Sequence, residues 1–345
     1  SLLGATLLAD AAAAIATVAI TFAFVGSLGS FLRMPGDIAA AAPWFAALHL
    51  FGQVHMTNVG ILRLYDRVAL IAAQHSAIAI ARFAGALAIL AASGDGADAI
   101  VAWGAANVVG GIVLWGGATS TLRREAVWPR LGAFSDFGAR PREFMSFLSA
   151  TNLIGTLEAG LHFAIISFVS ASLGLADAGL FHLIRQLSDA LARPAEFLAP
   201  LIFPEVAALK VRDLPAELHE FVWKATLGAA CAVAPVVGLA AMLGGDLLTF
   251  VFEVDASSIG AALLLAILAS ALFVATFAIE PLMLTNGHSV YALLSHVAPW
   301  AVLAAVLCLF GSDAGLYVAT AALFAHRAAQ TCFRLSYLVW SDARA

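Results

Sequence analysis

The chain has 345 residues, 62% of them apolar and 11% charged, with a mean hydropathy of +0.96, whereas a soluble domain carries about 25% charged residues. A water-soluble fold of this length cannot hide so much apolar surface, so lipid must be the solvent for much of it. The formal net charge of −5 says little about partners, and where the charges sit matters more than their sum; no nucleic-acid partner is expected.

A helix needs roughly 20 apolar residues to cross the hydrocarbon core of a bilayer. Such runs lie at 7–32, 38–60, 69–92, 98–119, 146–172, 177–204, 218–243, 258–284, 288–310 and 314–340. They predict an all-α membrane protein of about ten transmembrane helices. Short turns such as Ser93-Gly94-Asp95-Gly96 and Asn286-Gly287-His288 make consecutive helices antiparallel. The one long connection, about 120–144, carries Trp128-Pro129 and several arginines that suit anionic lipid heads. With this connection placed in the cytoplasm, alternate loops on that side collect Arg63, Arg67, Arg123, Arg124, Lys210, Arg212 and Arg334, together with Arg130, Arg140, Arg142 and Arg344. The opposite loops carry Arg33 and many acids, among them Asp37, Asp95, Asp98, Asp177 and Asp246. This is the positive-inside asymmetry, and it places both ends of the chain in the cytoplasm.

A weak internal repeat follows. Ile61-Leu62-Arg63-Leu64-Tyr65-Asp66-Arg67 leads into a run containing His75, and Leu282-Met283-Leu284-Thr285-Asn286-Gly287-His288 leads into one containing His296. Aligning Arg67 with His288 also aligns His75 with His296. The even offset of six spans makes the halves parallel repeats, with spans one to four matching spans seven to ten. The expected organisation is an N-terminal lobe of four spans at 1–120, a cytoplasmic linker at 121–144 and a C-terminal lobe of six spans at 145–345. Equal halves would leave about two helices missing in front of Ser1. The absence of an initiating Met and of a basic segment before the first run suggests a start cut inside a longer gene product, with no signal peptide.

Ionisable residues inside spans are informative, because each costs about 2.5–3.5 kcal/mol at mid-membrane unless paired or hydrated. Along the sixth run Arg185, Asp189 and Arg193 fall at successive i, i+4 positions, flanked by His182 and Gln186 and followed by Glu196. The stripe is either an internal salt-bridge ladder or the wall of a water-filled cavity that offers guanidinium groups to an anionic substrate. Pro194, Pro200 and Pro204 follow on the same run, where proline bends a helix. Glu158 and His162 share a face of the fifth run and are either a satisfied pair or, with Asp189, carriers of a coupling ion. Arg82 and Arg327 fit cavity lining or helix pairing equally, while Glu280, ending an apolar run, is placed to snorkel to the interface. The cysteines Cys231, Cys308 and Cys332 read as small core hydrophobes. No zinc-type spacing, GxSxG, HExxH, Walker A or dinucleotide-binding pattern occurs, so no catalytic residues, metal or cofactor are expected.

The run from Gly174 to Leu209, GLADAGLFHLIRQLSDALARPAEFLAPLIFPEVAAL, and the turn GILRLYDRVALIAAQ at 60–74 resemble segments of the polysaccharide-biosynthesis flippases. These belong to the multidrug/oligosaccharidyl-lipid/polysaccharide exporter superfamily. Gly174, Ala178-Gly179, Phe181, Pro194, Phe203 and Pro204 match the start of that family's C-terminal lobe. The likeness extends over nearly the whole chain in span layout and is sharp only in these two segments. It implies two helical bundles, an alternating-access mechanism and a bacterial inner-membrane location. The implied substrate is an undecaprenyl-diphosphate-linked oligosaccharide, with membrane lipids and the polysaccharide polymerase machinery as further partners. Under this resemblance Arg185 and Arg193 would meet the diphosphate and His182, Gln186 and Asn152 the sugar hydroxyls, with Arg82 a further substrate-binding candidate. The apparent lack of the first two spans departs from the family. A multidrug exporter of the same superfamily, a membrane scaffold and a glycan polymerase are the alternatives. Short external loops weigh against the polymerase.

Overall fold

The structure, a computed structural model, describes residues 2–31, 34–53, 56–125, 141–252, 256–311 and 315–342. Among these all regular structure is helical. The chain divides into two compact units, Ser1–Pro141 and Arg142–Ala345. The connection at 120–144 falls largely on 126–140, outside the described residues, as do Arg33, Arg130, Arg140, Glu253, Asp255, Asp313 and Arg344.

The first unit holds α1 (Leu2–Phe31), α2 (Gly36–Gln53), α3 (Met56–Leu64), α4 (Val68–Ala92) and α5 (Gly96–Arg124). Helix α5 packs against α2, α3 and α4. Its approach to α4 depends on small residues, as interfaces between membrane helices generally do: a Cβ on Gly110 would overlap Ile78, and one on Gly117 would press on Leu70. The α4–α5 turn is written in Ser93-Gly94-Asp95-Gly96. Ser93 takes the left-handed conformation that ends α4, and Asp95 caps α5 by accepting from the amides of Ala97 and Asp98 at 2.9 and 3.1 Å. The Asp98 carboxylate accepts in return from the Asp95 amide, closing a capping box.

The second unit holds α6 (Pro141–Ser172), α7 (Leu175–Val211), α8 (Pro215–Phe252), α9 (Ala256–Ala275), α10 (Ile279–Thr285), α11 (Ser289–Phe310) and α12 (Leu316–Asp342). At 1.5 Å per residue, α7 and α8 are each about 55 Å long, so they outrun the hydrocarbon core at their ends. Helix α7 continues through Pro194, Pro200 and Pro204. One core joins Leu161, Ile165 and Val169 of α6 to Phe181 of α7, Leu303 of α11 and Leu323 of α12. A second gathers Val206, Val222, Ile279, Leu282 and Met283 near the α10 end.

Seven helical segments among the described residues are long and apolar enough to cross a membrane. Their outward faces stay apolar: Phe83 and Leu90 on α4, Met242 on α8 and Leu309 on α11 are 68%, 77%, 78% and 78% exposed. Helices α7 and α12 are as long but carry the ionisable residues described below. The cysteines correct the sequence reading. All three are exposed, Cys231 and Cys308 within candidate spans, so they lie outside the packed core, and hydropathy alone does not separate the two environments.

The two segments aligned in sequence end in the same turn, which also joins α7 to α8, where the amides of Arg212, Asp213 and Leu214 donate to the carbonyls of Ala208, Lys210 and Leu209. In the first unit the amides of Tyr65, Asp66 and Arg67 donate to the carbonyls of Ile61, Arg63 and Leu62. In the second the amides of Asn286, Gly287 and His288 donate to the carbonyls of Leu282, Leu284 and Met283, the same three bonds at a constant offset. Asp66 and Gly287 both have positive φ, 53° and 78°. Short α3 and α10 therefore hand the chain to α4 and α11 through one turn type.

Candidate functional site

Glu158, Glu280, His296, Arg327 and Arg334 of the second unit converge where α6, α10, α11 and α12 meet. Arg327 of α12 grips Glu158 of α6 through two bonds, Nη1 to Oε1 at 2.9 Å and Nη2 to Oε2 at 2.7 Å. The planar guanidinium matches the carboxylate, which makes this the strong form of an ion pair. The same Nη1 donates to Gln330 Oε1 at 2.7 Å, and Gln330 Nε2 donates to Glu158 Oε1 at 3.2 Å. The Arg327 guanidinium also lies over the Phe273 ring of α9, 4.7 Å from its centre.

His296 of α11 links this pair to a second one. Its Nδ1 is 2.9 Å from Glu158 Oε1 and its Nε2 is 3.0 Å from Glu280 Oε2. Arg334 of α12 donates to Glu280 Oε2 through Nη2, which is also 3.0 Å from His296 Nε2. Gln330 Nε2 lies 3.1 Å from His296 Nδ1. Each ring nitrogen thus faces one carboxylate oxygen and one N–H donor. A neutral ring can donate to Glu158 and accept from Arg334, or donate to Glu280 and accept from Gln330, and an imidazolium can donate to both carboxylates. The network is formally neutral with a neutral ring and carries one positive charge with an imidazolium. His296 is 2% exposed, and Arg327 and Arg334 are 7% and 1% exposed.

One end of the network opens on a cavity of about 280 Å³. It is lined by Glu158, His162, Asp189, Ser270, Phe273 and Arg327, with small and apolar residues between them. His162 Nδ1 has no hydrogen-bond partner here. Beside the cavity Arg185 Nε lies 3.6 Å from Asp189 Oδ2, an i, i+4 ion pair along α7. Behind Arg327, both ring nitrogens of the buried His326 lack partners, and the ring stands edge-on to Trp300 at 6.3 Å.

Of the residues expected from sequence, Glu158, His162 and Asp189 share the cavity. Arg193, Gln186 and Asn152 are exposed, and His182 pairs with Gln186 at 2.8 Å along α7. Arg82 belongs to the first unit, where Nη2 donates to Asn107 at 3.1 Å and the guanidinium lies over Trp103 at 4.7 Å. Glu280 does not snorkel, since it is held between Arg334 and His296. Arg334 is no loop cation either, since it is buried within α12. The polar residues that surround it in sequence, Gln330, Ser336 and Ser341, lower the hydropathy there and mimic a helix end. In the first unit Asp10, an acid within the first apolar run, accepts from the amide and hydroxyl of Thr57 at 3.0 and 2.6 Å. It was legible as a charge in a span and was missed.

No family model matches the chain. Over 174 residues it is 30% identical to the inner membrane protein YghQ of Escherichia coli (strain K12). That match covers 49% of this chain and 49% of that protein, so the chain spans about half the length of the curated relative it matches. The fold is similar to that of the Vibrio cholerae MATE transporter VcmN in its bent form, with a TM-score of 0.72 at 13% identity over 99% of this chain and 80% of that one. The chain is a multi-pass α-helical membrane protein with this fold.

Proposed function

We propose that this chain carries a solute across the bacterial inner membrane as part of an exporter of the multidrug/oligosaccharidyl-lipid/polysaccharide superfamily. It is read as a carrier rather than an enzyme. The observation that carries the reading is the Arg327–Glu158–His296–Glu280–Arg334 network, set among membrane helices and open to a cavity at Glu158. Burying so many charges costs stability that an apolar core of similar volume would not. Such groups mark ion and substrate paths in membrane proteins. In this reading Glu158 takes up the coupling ion at the cavity. When that ion is a proton, His296 relays charge between the two carboxylates by exchanging tautomers, so no side chain needs to travel far.

The substrate we favour is an undecaprenyl-diphosphate-linked oligosaccharide, on the likeness of the 174–209 and 60–74 segments to flippases. Arg185, released from Asp189, would meet the diphosphate. One observation favours a second reading. Glu158 and Asp189 place two carboxylates on a cavity with one arginine, which suits an organic cation. Reconstitution in liposomes with a fluorescent lipid-diphosphate oligosaccharide, and separately with a fluorescent organic cation, tests both. Protein-dependent movement of the oligosaccharide head, lost in Glu158→Gln, is the expected result. Movement of the cation alone selects drug export. Movement of neither by folded, inserted protein overturns the transport reading.

A further inference from the structure

A second cavity, of about 430 Å³, lies at the end of the second unit where α7, α8, α10, α11 and α12 come together, apart from the Glu158 cavity. It is lined by Lys210, His219, Asn286, His288, Trp340 and Ser341, with Pro215 between them. No carboxylate lines it among the described residues. His219 forms part of the wall: its Nδ1 is 2.8 Å from the Pro215 carbonyl and its Nε2 is 3.1 Å from Ser341 Oγ. His288 is oriented by Tyr337. Asn286 Nδ2 donates to the Tyr337 oxygen at 3.4 Å, and that hydroxyl lies 2.6 Å from His288 Nδ1. When the Tyr337 hydroxyl donates to Nδ1, a neutral ring carries its proton on Nε2 as a donor, and an imidazolium donates from Nε2 as well. The pocket therefore offers the exposed Lys210 ammonium, an imidazole N–H and the second hydrogen of the Asn286 amide, and no anion to answer them.

Its rim has a different character. Tyr291 and Trp340 stack with ring centres 6.1 Å apart, and His288 stands edge-on to both. Around them Val211, Val290 and Val339 are 86%, 62% and 57% exposed. A polar, cationic floor with an aromatic and aliphatic rim is the profile of the membrane–water boundary, where amphipathic rings sit at headgroup depth. The geometry points to a binding site for a phosphate group carried by an anionic phospholipid headgroup, with acyl chains lying along the valines. A choline headgroup brings a second cation toward Lys210, where like charges repel, so the site discriminates against zwitterionic lipid. This site is independent of the transported substrate and of the network around His296.

The test is native mass spectrometry of the full chain in neutral detergent, titrated with phosphatidylglycerol or phosphatidylcholine, alongside thermal unfolding with inorganic phosphate. We expect phosphatidylglycerol to be retained over phosphatidylcholine, and Lys210→Gln to weaken that retention about five-fold, the effect of one surface cation on an anionic headgroup. Lys224→Gln, which removes a lysine from the outer face of α8, should leave retention unchanged. Equal retention of both lipids, or retention by Lys210→Gln equal to that of the parent, overturns the proposal. Stabilisation by inorganic phosphate that disappears in Lys210→Gln, with no lipid preference, overturns the lipid as source and assigns the pocket to a soluble phosphate.

Discussion

At the scale of single residues, Arg334 is the most exposed to test, because it is fully buried and its main counter-charge is one carboxylate. Arg334→Ala leaves the Glu280 carboxylate with His296 and no arginine. Breaking a buried pair from one side costs about 3–5 kcal/mol, so the variant should unfold at clearly lower temperature in detergent than the parent. The double variant Arg334→Ala/Glu280→Ala should recover part of that loss. Equal stability of the single variant and the parent would remove Arg334 from the network. Lys224, whose ammonium meets Glu220 on an exposed face, should give no measurable change when replaced by Ala. The sequence displayed Glu158, His162 and Asp189 as costly charges in apolar runs, and they do share a cavity. It did not display their partners, because Arg327 is 169 residues from Glu158 and nothing local marks which helix a buried arginine will face. Arg334 was misplaced for a related reason: a helix face that binds charges is polar, and polarity is also how a helix end reads.

At the scale of elements, the two matching turns allow a paired experiment. Gly287 has open space around its Cβ position and a φ of 78°, so substitution there is penalised by backbone conformation alone. Gly287→Val should cost about 1–2 kcal/mol. Gly287→Asp should cost less, since the first unit already places Asp66 at the equivalent position and Asp tolerates the left-handed region. Equal melting temperatures for the two variants would contradict this. Between α4 and α5 the limit is space: Gly110→Val must displace Ile78 and should cost about 1–3 kcal/mol, again read from thermal unfolding. The turns were visible in sequence through Asn-Gly and Ser-Gly-Asp-Gly signals. The division of the eighth apolar run into α9 and α10 was not. Hydropathy passes through Thr276-Phe277-Ala278 without a break, and only the backbone turn there separates the helices.

At the scale of the whole molecule, the apolar runs accounted for the helical membrane fold, because lipid leaves few alternatives for an unsatisfied backbone. They could not tell a helix face turned to lipid from one turned to protein, since both are apolar, and the cysteines show the difference. Cys231 and Cys308 sit on outward faces of α8 and α11 within candidate spans. A thiol in hydrocarbon has no water to support the reactive thiolate. In intact membranes both should resist a charged maleimide and react after solubilisation in denaturing detergent. Rapid labelling in membranes would place these faces in water and contradict the span assignment.

The network also bears on how the protein is assembled. Helix α12 follows α6, α10 and α11 in the chain and carries both buried arginines. When it leaves the ribosome, the carboxylates and imidazole that satisfy it are already in place. Until then Glu158 and Glu280 have no arginine to meet. Insertion of α12 on its own works against about 2.5–3.5 kcal/mol for each central charge, so its entry into the bilayer and its docking onto the earlier helices are one event. A chain with a defective α6 or α10 should therefore insert α12 less efficiently, because the charges of Arg327 and Arg334 then enter the bilayer without Glu158 or Glu280 to meet them.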